Sequence, residues 1–204
     1  MSIVTLNDRA VRSVTAFGSL NTGSMVFIKK LTASSSSTLS FVNGSSDVVL
    51  DSTYKEYLFT FKNIHPATDQ EYFTVNFRDG DTNYDATKTS TVFQSYHAED
   101  DSSAGIAYED GHDLAQSTSA QRLSNRVSSN NDASCSGYLH LFNPSSTTFV
   151  KHFIARVQGY YGGTFSIEHH TAGYCNVTAA IDAVQFAMSS GNMDAGDICL
   201  YGIL

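Results

Sequence analysis

Hydrophobic and polar positions alternate with a period of two along much of the chain. In 56–64, Tyr57, Phe59 and Phe61 fall on one side while Leu58, Thr60 and Lys62 fall on the other. In 72–77, Phe73, Val75 and Phe77 alternate with Tyr72, Thr74 and Asn76. Successive side chains of a strand point to opposite faces, so this pattern predicts half-buried strands and not helices. Further strands are expected at 25–33, 38–42, 48–50, 91–97, 105–108, 137–142, 148–157, 164–169, 183–188 and 197–201.

The segments between these runs carry turn chemistry. Ser34–Ser37 reads as a hairpin tip, and Asn43–Gly44 is a tight-turn dipeptide. Gly191 and Gly196, within SSGNMDAGD, permit a reversal between the last two strands. Pro66 and Pro144 sit at ends of apolar runs, where a missing N–H is tolerated. The one helical candidate, 113–126, is polar and Ser-rich, and Leu114 and Leu123 make no continuous stripe. A single turn or a long excursion fits it better. The whole predicts an all-β fold: one antiparallel β-sandwich of jelly-roll type over 24–204, preceded by a short N-terminal arm, 1–23.

Composition adds an unusual surface. Of 204 residues only 16% are charged, while 28 are Ser and 19 are Thr. Hydroxyls have replaced charge, giving a surface that is solvated yet costs little to bury against another subunit. The net charge of −8 argues against a nucleic-acid footprint and against attraction to anionic lipid. No apolar run approaches the roughly 18 residues of a membrane-spanning helix. The start, MSIVTLNDRAVR, carries acid early, so no signal peptide is expected. Cys135, Cys175 and Cys199 are odd in number and widely spaced, which predicts buried free thiols.

Candidate chemistry is sparse. Asp79, Asp81, Asn83 and Asp85 place hard oxygen ligands at every second position, the kind calcium prefers. Tyr84 and Ser90 stand where an EF-hand would have Gly and an acid, so a structural Ca2+ and a solvated turn are both open readings. His169 and His170 are adjacent and would point to opposite faces of a strand. No HExxH, GxSxG or phosphate-loop pattern occurs, and no pair of glutamates stands out for glycoside chemistry. Tyr108, Tyr160 and Tyr161 are candidates to stack on a sugar face. The stretch 100–136, rich in Asp, Ser and Asn, is the least sheet-like and is read as a long variable loop or a binding surface.

Three segments carry a family resemblance: SMVFIKKLTASSSSTLSFVNG (24–44), LDSTYKEYLFTFKNIHPATDQEYFTVNFRDGDTNYD (50–85) and AIDAVQFAMSSGNMDAGDICLYGIL (180–204). In this order they resemble the opening hairpin, central aromatic strands and closing strands of a β-rich module. That module occurs in virion structural proteins of tailed phages, especially marine and cyanobacterial ones. The resemblance implies a non-enzymatic, tail- or fibre-associated virion protein (a short fibre or adaptor), made in the host cytoplasm. It also implies homo-oligomers, trimers among them, and other virion proteins as partners. Ile3, Val4 and Leu6 in the arm are the candidates for docking by strand addition. The alternatives are a receptor-recognition protein that binds host surface polysaccharide and a capsid decoration protein.

Overall fold

The computed structural model describes residues 24–162 and 164–204. The arm 1–23, with Ile3, Val4 and Leu6, lies outside the described residues. The described chain is all-β, built from two antiparallel sheets. The larger contains β1 (Met25–Thr32), β3 (Glu56–Pro66), β5 (Lys88–Ala98), β6 (Ala104–Tyr108), β8 (Cys135–Phe142), β9 (Lys151–Tyr161), β10 (Phe165–Cys175) and β12 (Met193–Ile203). The smaller contains β2 (Leu39–Val42), β4 (Glu71–Arg78), β7 (Gln121–Val127) and β11 (Ala183–Met188). Their orders are β1-β12-β3-β8-β9-β10-β5-β6 and β2-β11-β4-β7.

The hairpin expected at Ser34–Ser37 is an arch instead, and two further connections are arches as well. β1 and β2, β3 and β4, and β11 and β12 each place consecutive strands in opposite sheets. The reason is the apolar face that each strand carries. Side by side in one sheet, those faces would still need a cover; in opposite sheets they cover each other. Phe61 of β3 and Phe73 of β4 accordingly meet edge to face across the sandwich, ring centroids 5.0 Å apart. Phe186 of β11 lies at the centre of this cluster, within 5.2–6.3 Å of the rings of Phe41, Phe59, Phe61 and Phe73.

The alternation read from the sequence holds as far as Phe61 and is then interrupted. Tyr57, Phe59 and Phe61 are buried, but the next inward residue is Ile64. A register shift against β8 and a positive φ of 51° at Asn63 absorb the extra residue. The run 48–50 forms no strand, although Val48 and Leu50 are buried and the Leu50 amide donates to Asn43 Oδ1 at 2.9 Å. The polar stretch 113–126 is no helix: its second half is β7, with Leu123 and Val127 in the core. Cys135 and Cys175 are buried and Cys199 is half-buried, all three free thiols.

Candidate functional site

The two sheets differ in width, and the difference creates a cleft. β7, the edge of the small sheet, lies over β9 and β10. Beyond it β5 and β6 extend as an uncovered wing. The inward face of that wing is polar where the rest of the interior is aromatic: Ser90 and Gln94 on β5, His169 and Thr171 on β10. These groups need partners once buried, and the segment after β6 supplies them. The Ser90 amide donates to Leu114 O at 2.9 Å, and Ser90 Oγ donates to Gln121 Oε1 at 2.6 Å. Asn125 Nδ2 donates to Gln94 Oε1 at 2.6 Å, and Gln121 Nε2 donates to the carbonyl of His112 at 3.0 Å.

This network leaves a cleft of about 350 Å³ between β7 and the inner faces of β5 and β10. Tyr72, Tyr96, Tyr161 and Phe165 form its aromatic walls, and Ile167 is part of the lining. Tyr72 is held from two sides. The Arg122 guanidinium stacks on its ring 4.0 Å from the centroid, and Arg126 Nε donates to its hydroxyl at 2.9 Å. Glu109 is the single carboxylate of the lining. It makes no side-chain hydrogen bond or ion pair among the described residues, and burial, with the nearby Asp110, raises its pKa.

Beside the cleft lies a histidine pair. His112 Nδ1 and His169 Nε2 are 3.0 Å apart, and His169 is fully buried. Burial depresses both, His112 to about 4, aided by Arg122 and Arg126, and His169 to about 3, aided by His112. The pair is therefore neutral at physiological pH. The sequence showed His169 on one face and His170 on the other, and this is how they lie. What it did not show was that His112, 57 residues away, closes on His169.

The three candidate tyrosines do not converge. Tyr161 lines the cleft. Tyr160 precedes it on β9 and takes the opposite face, while Tyr108 sits on the outer face of β6, its hydroxyl bonded to Asp113. Four other lining residues, Glu109, His112, Asn125 and Arg126, come from the stretch 100–136, whose lack of alternation was the one sequence cue to a surface of this kind.

The outer face of the large sheet is the second notable surface. Cross-strand register aligns Tyr108, Phe93, His170, Arg156 and Tyr138 in one row. A neighbouring row runs Ala172, Ile154, His140, Leu58, Tyr201 and Phe27. Ile106, Tyr108, Phe27, Ile154 and Phe93 are 46–77% exposed. The Phe93 ring stacks flat on His170, centroids 4.5 Å apart. The polar groups in these rows are answered locally: Arg156 and His170 by Glu168, and His140 by Glu56. A trough of about 400 Å³ opens around Gly173, walled by His152, Ile154, Ala172 and Tyr174.

The third region is the loop joining β4 to β5. Carboxylate oxygens of Asp79, Asp81 and Asp85 all lie within 4.8 Å of one another, so this cluster can hold a divalent cation such as Ca2+. Asn83 contributes its main-chain N–H, which donates to Asp81 Oδ1 at 2.6 Å and tightens the loop. Strands, not the helices of an EF-hand, flank it. Among the described residues no helix is long and apolar enough to cross a membrane. Comparison of the chain with protein-family models, curated proteins and solved structures finds no match.

Proposed function

We propose that the chain is a non-enzymatic structural subunit of a phage particle, a tail- or fibre-associated component that packs against further copies of itself and other virion proteins. The outer face of the eight-stranded sheet carries this reading. Phe27, Phe93, Ile106 and Ile154 stand exposed along it from one edge of the sheet to the other, more large apolar side chains than one solvated sheet face needs. Arg156 is paired with Glu168 there, and Glu56 and Glu168 are also in contact with His140 and His170, so the carboxylates of this face are not left open to a second copy. Exposed Phe93 and Ile154 lie beside the trough at Gly173, so one surface offers both apolar projections and a hollow, as a self-complementary two-fold contact requires.

The strand order supports the finer description of the fold as a jelly roll. Take β1, β2, β3, β4, β7, β8, β11 and β12 as eight strands in sequence. One sheet then reads first, eighth, third, sixth, and the other second, seventh, fourth, fifth. Two interlocked Greek keys produce this order, which recurs in viral capsid domains. The pairs β5–β6 and β9–β10 are then insertions that widen one sheet. This is a fold-level analogy and the outer face bears the functional weight.

Sedimentation velocity on the full chain tests the reading. A defined oligomer is expected, dissociating in Ile154→Glu and Phe93→Ser with circular dichroism unchanged. A monodisperse monomer that joins no particle would remove it. Recovery of the chain with tail proteins or with head proteins separates a tail position from capsid decoration.

A further inference from the structure

We propose that the cleft between β7 and the wing formed by β5 and β10 binds a neutral saccharide. The inference stands on the cleft's own geometry and needs no particle assignment. Sugars present two kinds of surface: flat patches of C–H bonds and a girdle of hydroxyls that both donate and accept. A site for them combines aromatic planes with fixed amides, carboxylates and guanidinium groups at the edges. Here Tyr96, Tyr161 and Phe165 supply the planes. Tyr161 and Phe165 stand 6.2 Å apart centroid to centroid, and Tyr96 and Phe165 6.4 Å. Gly105 keeps one of them in place, because a Cβ there would come 2.9 Å from the Tyr96 hydroxyl.

The polar groups are already oriented before any ligand arrives. Asn125 is fixed by Gln94 on one side and by the Arg126 amide, which donates to its Oδ1 at 2.7 Å, on the other. Arg126 is held by Tyr72 through its Nε and by Tyr161, so its guanidinium is oriented at the cleft edge. Glu109 is partly buried without a partner among the described residues, an acceptor waiting for vicinal hydroxyls. Holding these groups rigid beforehand lowers the ordering cost of binding. A cleft of about 350 Å³ sits at the small end of the usual range for ligand sites, so one or two sugar rings are the expected occupants.

The same inventory separates binding from cleavage. Hydrolysis of a glycosidic bond requires two carboxyl groups about 5–9 Å apart. The lining offers Glu109 alone, and its one histidine, His112, is turned toward His169. The site can hold a saccharide but has no second acid to split it. A neutral sugar is favoured over an acidic one because the one carboxylate and the one guanidinium of the lining, Glu109 and Arg126, balance and leave no net positive charge to select an acid.

Nuclear magnetic resonance of the full chain with labelled tyrosines tests the proposal, using glucose, galactose, N-acetylglucosamine, lactose and cellobiose as probes at millimolar concentrations. At least one probe is expected to shift Tyr96 and Tyr161 saturably. The shifts are expected to vanish in Glu109→Gln and in Tyr161→Ser, and to persist in Tyr174→Ser, whose ring lies on the opposite face of the sheet. If Tyr161→Ser unfolds, the exposed Arg126→Ala replaces it. Absence of saturable shifts with every probe would overturn the proposal, as would shifts that survive both cleft variants. The measurement is indifferent to oligomeric state, so its failure and the failure of the assembly reading are distinguishable.

Discussion

His112 Nδ1 and His169 Nε2 share one hydrogen bond of 3.0 Å inside the polar wing of the sandwich. One imidazole donates and the other must accept, so the pair cannot carry two protons and keep this contact. Both rings titrate below the ordinary histidine value of 6.5, near 4 and near 3. The unfolded chain therefore takes up protons first as pH falls. The stability these rings contribute is full above about pH 6.5 and is lost progressively as pH drops through 4 and 3. Chemical denaturation at a series of pH values should show a loss on the order of a few kcal/mol across that window. His169→Gln should lower stability at neutral pH and flatten the acid limb; an unchanged acid limb would dismiss the pair as its cause.

Phe186 touches four other phenylalanine rings and is fully buried. Phe186→Ala should cost about 3–5 kcal/mol by urea unfolding, since transfer and cavity terms add. Phe186→Leu should cost clearly less. Equal costs would mean that the rings around the site collapse freely, contrary to a cluster pinned by both sheets.

Gly137 lies where β8 presses against β9. A Cβ at this position would stand 2.1 Å from the Arg156 carbonyl oxygen and 2.7 Å from Val157 Cα, both backbone atoms. Backbone in a central strand cannot yield cheaply, so Gly137→Ala is expected to lower the thermal midpoint by several degrees. Gly44→Ala, where φ is +75° but no atom lies within 4 Å, should cost about 1 kcal/mol through backbone strain alone. The two variants separate steric from conformational cost.

The Asp79, Asp81 and Asp85 carboxylates repel one another when no cation lies between them. Millimolar calcium should raise the unfolding midpoint, with a stabilisation of about 1.4 kcal/mol when free calcium exceeds its dissociation constant roughly tenfold. Chelation should reverse the gain, and the double variant Asp81→Asn, Asp85→Asn should abolish it. A midpoint blind to calcium would identify the loop as a solvated turn.

What the sequence determined by itself is local. The alternation of Tyr57, Phe59 and Phe61 with Leu58, Thr60 and Lys62 fixes which face of β3 is buried, because side chains of a strand alternate whatever lies beside them. The same logic separated His169 from His170 and located most of the twelve strands. It missed β7, whose residues include Ser124, Asn125 and Arg126; Asn125 is matched by Gln94 of the wing, and Ser124 and Arg126 by Phe73 and Tyr72 of β4, so no hydrophobic period marks the strand.

Tertiary structure alone decided which strands share a sheet. A strand's pattern says that one face needs a cover, and a neighbour in the same sheet cannot provide it. Thus β3 and β4, a hairpin by proximity in sequence, became opposite walls with Phe61 against Phe73. The unequal widths of the two sheets then decided the cleft, and it draws residues from five strands and one loop that no spacing rule connects. Tyr161 was visible as an aromatic; that it faces Glu109 and Arg126, and not Tyr160, follows only from where the small sheet ends.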